Sequence, residues 1–380
     1  MRKIFVASLI LLISSLAVVF AQSAQMSKWT ADDVIMTEQA GGFQISPDGR
    51  WAVWVKTIAD KEKDGRISNL MLSSLTEKKE IELTRGTDSC SNPRWSPDGQ
   101  LIAFITARPI PKAKPSAPGE GPRPQLWLIN PFGGEPWPVT DFSRGVTSYE
   151  WADADTIIFA AQEESALHEN TIKEKKDTSI VVEDEQHAPP RRLFKFSIKA
   201  KKYMRLTDND DRIQGFALSP DGTKAVTLHD RSLRFVYDNK IKPAVFLYDL
   251  ATAQGRQVFT EPRFNIGQVA WARDGKGFYA TSGFTNHPQY VMATVQEMYY
   301  YDLAAGSAVK VDLGWENGLA GGFEITNDGF IAPLADGARD KIARYARAGS
   351  AWRREWVTGE RAQNIVGFKL GKDDKTFLFA

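Results

Sequence analysis

"ISPDGRWAVWV", residues 45–55, and "RWSPDGQLIAFIT", residues 94–106, decide the fold. Each places an apolar residue before a Ser-Pro-Asp-Gly turn and an alternating apolar run after it. Pro and Asp set up the tight turn, and Gly takes the positive φ that such a turn often needs. The phrase is therefore a hairpin of two short strands. It returns along the chain, intact or degenerate, behind the anchors Ile45, Trp95, Trp151, Leu218, Trp271, Ile325 and Leu370. The intervals are 50, 56, 67, 53, 54 and 45 residues. Several strands recurring at such a spacing mark a propeller or a similar array.

Each interval holds four strands. In the second unit they fall at 92–95, 101–107, 125–130 and 136–140, and in the fourth at 214–218, 224–230, 244–249 and 255–259. The expected fold is all-β: a seven-bladed propeller of four-stranded antiparallel blades over 45–380. The anchors read as wedges between neighbouring blades. After Asp373-Asp374 only "KTFLFA" remains, which supplies half of a last blade. That blade is expected to be incomplete, with an open edge strand and a poorly closed ring. The chain therefore reads as the N-terminal part of a longer protein. Before the propeller, 22–44 is a lead-in with a short helix, Thr30 being its N-cap and Asp32 and Asp33 lying in its first turn. Strand alternation puts every Asp-Gly turn on one face of the disc. Three long insertions, 108–124, 162–190 and 283–295, share the opposite face. The first is Pro-rich and semi-rigid; the second is highly charged and reads as a solvated loop or a docking lid.

Forty-eight basic and 47 acidic residues leave a net charge of +1, which gives no electrostatic footprint for nucleic acid. Residues 1–21 have a basic start, an apolar run and Val19-Phe20-Ala21 as a cleavage site, the pattern of a secretory signal peptide. The mature protein is then periplasmic or secreted, begins at Gln22, and has no membrane segment after cleavage. One cysteine, Cys90, excludes an internal disulfide and a cysteine metal cluster; it reads as a small buried hydrophobe.

No catalytic, cofactor-binding or metal-ligating residue is assigned. There is no GxSxG elbow. His168, His187, His229 and His287 fit no zinc pattern and read as surface or rim histidines. Asp208, Asp210 and Asp211 in "TDNDDR" lack the spacing and glycine of an EF-hand loop and read as a solvated connector. No Gly-rich loop leads from a strand into a helix to cradle a phosphate.

"WTADDVIM", "ISPDGRWAVWV", "RWSPDGQLIAFIT", "QLWLINPFGGEPWPVT", "RLFKFSIKAKKYMRLT" and "ALSPDGTKAVTLHDRSLRFVYDN" resemble, in that order, the N-terminal propeller of the prolyl oligopeptidase family of serine peptidases, in particular its acylaminoacyl-peptidase-like and dipeptidyl-peptidase-like members. The resemblance covers 29–380. It implies an α/β-hydrolase domain after residue 380 with a Ser-Asp-His triad, short peptides as substrates cleaved by acyl transfer, and a propeller that caps the site and gates access to it. No position here matches the family's catalytic residues. The alternative is a TolB-like periplasmic propeller acting as a non-catalytic protein-binding module.

Overall fold

The computed structural model describes residues 29–110, 122–163, 167–175, 187–238, 240–287, 289–290, 293–349, 351–359, 365 and 367–379. The expected signal segment and parts of all three insertions lie outside the described residues. The chain divides into two compact units, the smaller formed by the segment up to Glu38 with the hairpin tip Ile58–Arg66. In it, helix α1 (Ala31–Ile35) starts at Thr30 as expected: the Thr30 hydroxyl accepts the Asp33 N–H, and the Asp33 carboxylate accepts the Thr30 N–H at 2.8 Å. This reciprocal pair is a capping box. Lys61 of the hairpin tip lies 3.0 Å from Asp32.

The larger unit is a succession of antiparallel sheets in a propeller arrangement. The first contains β1 (Gln39–Ile45), β2 (Trp51–Asp60), β3 (Gly65–Ser74) and β4 (Glu80–Glu82). The second contains β5 (Cys90–Trp95), β6 (Ile102–Thr106), β7 (Gln125–Ile129) and β8 (Trp137–Pro138). Next come β9 (Val146–Trp151), β10 (Thr156–Gln162), β11 (Arg191–Ser197) and β12 (Lys202–Arg205), then β13 (Arg212–Leu218), β14 (Lys224–Asp230), β15 (Ala244–Asp249) and β16 (Gln254–Val258). Two more sheets follow: β17 (Ile266–Trp271), β18 (Gly277–Phe284), β19 (Val295–Asp302), β20 (Ser307–Lys310), and β21 (Glu324–Ile325), β22 (Gly329–Asp336), β23 (Arg339–Ala348), β24 (Ala351–Trp356). β25 (Phe368–Leu370) and β26 (Phe377–Phe379) form a two-stranded sheet. Every anchor is the last residue of the first strand of its unit.

The sequence predicts seven blades; four separate four-stranded sheets are present. The cause of the difference is local. β9–β12 and β13–β16 merge into one eight-stranded sheet through a single parallel bridge, Arg191 to Arg212. The last unit has two strands. Its β25 lies beside both β21 and β1.

The core lies between successive sheets, not within one. Ala103, Leu126 and Leu128 of the second unit pack on Tyr149, Phe159 and Phe194 of the third, and Val245 and Leu247 of the fourth pack on Phe278 and Tyr299 of the fifth. Strands covered on both faces need apolar residues at every position, and all five residues of β6 and of β7 are buried. The last layer is the smallest, with Ile331, Ile342 and Leu370 as its buried members.

The recurring phrase is explained by its turn. Ser46 donates its hydroxyl proton to Asp48 Oδ1 at 2.5 Å and accepts the Trp51 N–H at 2.9 Å. Ser96 with Asp98 and Leu101, and Ser219 with Asp221 and Lys224, repeat both bonds. Gly49, Gly99 and Gly222 sit at φ +72°, +72° and +68°, where a Cβ is disfavoured. The three tryptophan anchors add a second repeat. Trp95, Trp151 and Trp271 donate their indole N–H to the carbonyls of Gln44, Arg94 and Ala217, at 3.2, 3.3 and 2.9 Å. Each acceptor immediately precedes the previous anchor, so the wedge is also a hydrogen-bonded tie between units.

Candidate functional site

The sequence candidates occupy structural positions. Cys90 is fully buried and burial pushes its thiol pKa up, so it serves as a core hydrophobe. Helix α2 (Leu167–Lys175) carries His168, whose side chain lies outside what is described. His187 and His287 are exposed. His229 corrects the rim reading: it is fully buried, against the rings of Phe246 and Tyr248. Its Nδ1 donates to Asp211 at 2.5 Å and its Nε2 lies 2.7 Å from the Thr227 hydroxyl. Burial pulls the Asp211 carboxyl up, but the His229 bond and charge and the Asn209 amide hold it below its ordinary value. A hydroxyl, an imidazole and a carboxylate in this order have the connectivity of an acyl-transfer relay. Thr227 and His229 are both 0% exposed, however. No substrate reaches them, and the relay instead fixes the connector before β13. The remaining connector carboxylates are engaged too: Asp208 pairs with Arg205 at 2.8 Å and Asp210 with Arg192 at 3.6 Å. Among the described residues no group of three or more His, Cys, Asp or Glu is placed to hold a metal ion.

What the structure brings together is the inner face of the ring. The first strands are edge strands of their sheets except β13, which also pairs with β11, and they approach one another, β1 by β5, β9 by β13, β13 by β17, β21 by β25. The residue before the anchor is charged in four of the seven units, and these four form two ion pairs. Arg94 lies 3.6 Å from Glu150, and Lys369 lies 2.9 Å from Glu324. Glu150 also accepts the Leu218 N–H at 2.9 Å, the equivalent of a tryptophan tie where the anchor is leucine. Burial raises the Glu150 pKa, against the charges of Arg94 and Lys369 and the Leu218 bond. Where the inner strands of the last three units begin, a cavity of about 390 Å³ is lined by Gln268, Gly321, Gly322, Glu324, Asp340 and Phe368. The charged and amide groups lining it are two carboxylates, Glu324 and Asp340, and the Gln268 amide; they offer no nucleophile. A second groove, about 720 Å³, lies around Trp315; of its four carboxylates, Glu297 and Asp336 are paired to Lys310 and Lys341. The turn phrase does not mark these pairs: they lie one position before the anchors, at Arg94, Glu150, Glu324 and Lys369, in a column that Ala217 and Ala270 interrupt.

Arg191, Arg212 and Asp230 lie at the ends of β11, β13 and β14 away from the Asp-Gly turn between β13 and β14, and the insertions fall between β6 and β7, β10 and β11, β18 and β19.

Comparison with known proteins follows this geometry. No family model matches the chain. The uncharacterized peptidase YuxL of Bacillus subtilis is 29% identical over 206 residues, 51% of this chain and 30% of its own length. Dipeptidyl-peptidase 5 of Porphyromonas endodontalis is 23% identical over 294 residues, 77% of this chain and 36% of its own length. The chain thus spans about a third of these relatives. In fold it is similar to acylaminoacyl peptidase of Pyrococcus horikoshii, with TM-score 0.63, 15% identity, 92% of this chain and 50% of that one covered. It is likewise similar to the β-propeller domain of the Trilobed protease of Pyrococcus furiosus, with TM-score 0.54, 12% identity, and 87% and 86% covered. The chain therefore has a peptidase and a dipeptidyl-peptidase as homologues, and its structural neighbours are acylaminoacyl peptidases and a protease propeller.

Proposed function

We propose that this chain is the substrate-gating propeller of a secreted serine peptidase that cleaves short peptides by acyl transfer, with its catalytic α/β-hydrolase domain following residue 380. The observation that carries the reading is that its homologues are a peptidase and a dipeptidyl-peptidase of which it spans 30% and 36%. The sealed Thr227–His229–Asp211 relay supports placing catalysis elsewhere, because the hydroxyl is closed to substrate. We read the architecture as seven blade positions, the eight-stranded sheet being two of them and β25–β26 the inner half of the seventh. Seven anchors at the ends of first strands, and β25 beside both β21 and β1, support that count. In this reading the pairs Arg94–Glu150 and Lys369–Glu324 on the first strands screen what passes, so short peptides are admitted and folded chains are held back. The partners are those peptides and the hydrolase domain. Residues 1–21 direct export and are removed. Hydrolysis of aminoacyl and acetyl-aminoacyl chromogenic substrates by the 380-residue chain tests the assignment. No turnover is expected; turnover blocked by a serine-reactive fluorophosphonate would place the nucleophile inside this chain and overturn it.

A further inference from the structure

We propose that Arg191 and Arg212 form a carboxylate-binding site on the insertion face of the ring. The two residues open β11 and β13 and are direct partners across the parallel bridge. Strands paired in this way lie about 4.8 Å apart, so two guanidinium stems leave the backbone side by side. Asp230, at the end of β14, is the carboxylate beside them, with its Oδ2 3.2 Å from Arg212 Nη2. It is shared: the same oxygen accepts from Gln214 Nε2 at 3.1 Å, and Oδ1 accepts the Ser232 N–H at 3.2 Å. Gln214 Oε1 in turn accepts from Arg191 Nη1 at 2.9 Å.

This arrangement leaves donors over. Arg191 Nε and Arg212 Nε are buried with no hydrogen-bond partner among the described residues, while Arg212 Nη2 has only the shared Asp230 carboxylate, at 3.2 Å. Buried donors without acceptors are destabilising, and guanidinium groups are built to satisfy them on a planar carboxylate through paired bonds. The local charge is two cations against one carboxylate. Burial and the Arg212 charge both lower the Arg191 pKa, with Asp230 opposing them, so the pair is held together against its own repulsion. A surplus of one positive charge suits a monoanionic carboxylate better than a dianionic phosphate. The neighbouring Arg192 does not add to it, being paired to Glu163 at 2.8 Å and facing Asp210 at 3.6 Å. Gln214 is exposed, and its amide oxygen already stands on Arg191 as an anion oxygen would. Swinging it out opens the pair to a ligand without disturbing either strand.

The anion site stands on this geometry alone; a short peptide as the carrier of the carboxylate rests on the peptidase reading above. Binding to the 380-residue chain, read without turnover, separates the two. The probes are acetyl-Ala-Ala-Ala as its free acid, the same peptide as its C-terminal amide, and acetyl-Ala-Glu-Ala amide. The free acid is expected to bind about tenfold or more tightly than its amide, the size of a charge-assisted paired contact. Arg212→Gln and Arg191→Gln should each erase that preference, and Gln214→Ala should strengthen binding of the acid. If acetyl-Ala-Glu-Ala amide binds as well as the free acid, the site takes any carboxylate; if it binds as weakly as the other amide, the site takes a chain terminus. Equal binding of all three probes would overturn the proposal, as would a preference that survives either arginine change. Gln214→Ala sits at an exposed position and preserves the fold, so unchanged affinity for the acid in that variant would also overturn it.

Discussion

Trp271 ties two units with a single proton, from its buried indole to the Ala217 carbonyl. Trp271→Phe keeps most of the wedge and removes the donor. The expected loss is about 1–2 kcal/mol, the cost of orphaning one buried acceptor. Trp271→Ala also opens a cavity and should cost about 3–5 kcal/mol. Urea unfolding midpoints check both. The turn carboxylates make a pH prediction. The Ser46 and Ser219 hydroxyls, with backbone N–H groups, hold Asp48 and Asp221 at a pKa of about 2, and Asp98 is lowered in the same way. Unfolded aspartates titrate near pH 3.9. A depressed folded pKa means that the unfolded state binds protons first as the pH falls. The stabilisation is therefore full above about pH 4 and is lost as the pH falls toward about 2. A urea midpoint that is level from pH 6 to 4 and then declines is expected, with a shallower decline in Asp48→Asn/Asp221→Asn. An unchanged decline in that double variant would contradict the account. At this scale the sequence was legible where turn chemistry is local. His229 was not, because its burial comes from Phe246 and Tyr248 on β15 and from a connector 18 residues earlier.

Among the elements, β25–β26 is the least supported, with one edge of β26 unpaired among the described residues and three buried residues beneath it. Arg273 compensates. From the Asp-Gly turn of the fifth unit, its Nη1 donates to Asn327 Oδ1 at 3.0 Å and to the Lys372 carbonyl at 2.8 Å. Its Nη2 donates to the carbonyls of Ile325 at 2.8 Å and Gly371 at 3.2 Å, and Asp374 completes the cluster at 2.8 Å. One side chain thus pins the turns of three units. Hydrogen exchange is expected to be faster in β25 and β26 than in β6 and β18. Arg273→Ala should accelerate it there by a further 10–100-fold or so, the size of one or two charged hydrogen bonds, while leaving β6 unchanged. Equal protection of β25 in both proteins would show the staple to be idle. The strand limits at 224–230 and 244–249 were readable to the residue, since Gly and Asp punctuate them. The merging of the third and fourth sheets was not. It depends on a single bridge between Arg191 and Arg212, twenty-one positions apart, which no local pattern encodes.

For the whole molecule, the repeat explains both the fold and the silence of the sequence about chemistry. The recurring phrase is turn and tie, Arg94 and Lys369 on the first strands are ion-paired to Glu150 and Glu324, and the hydroxyl–histidine–aspartate relay is sealed in the core. Under the proposed function, such a ring selects what passes to the hydrolase domain. The most direct test is to label the exported native gene product with a fluorophosphonate and determine its intact mass and the labelled residue. The account predicts a product larger than 22–380 by about one further domain of roughly 250 residues, with a single labelled serine beyond residue 380. An exported product that stops at residue 380, or a label on a serine within it, would contradict the account.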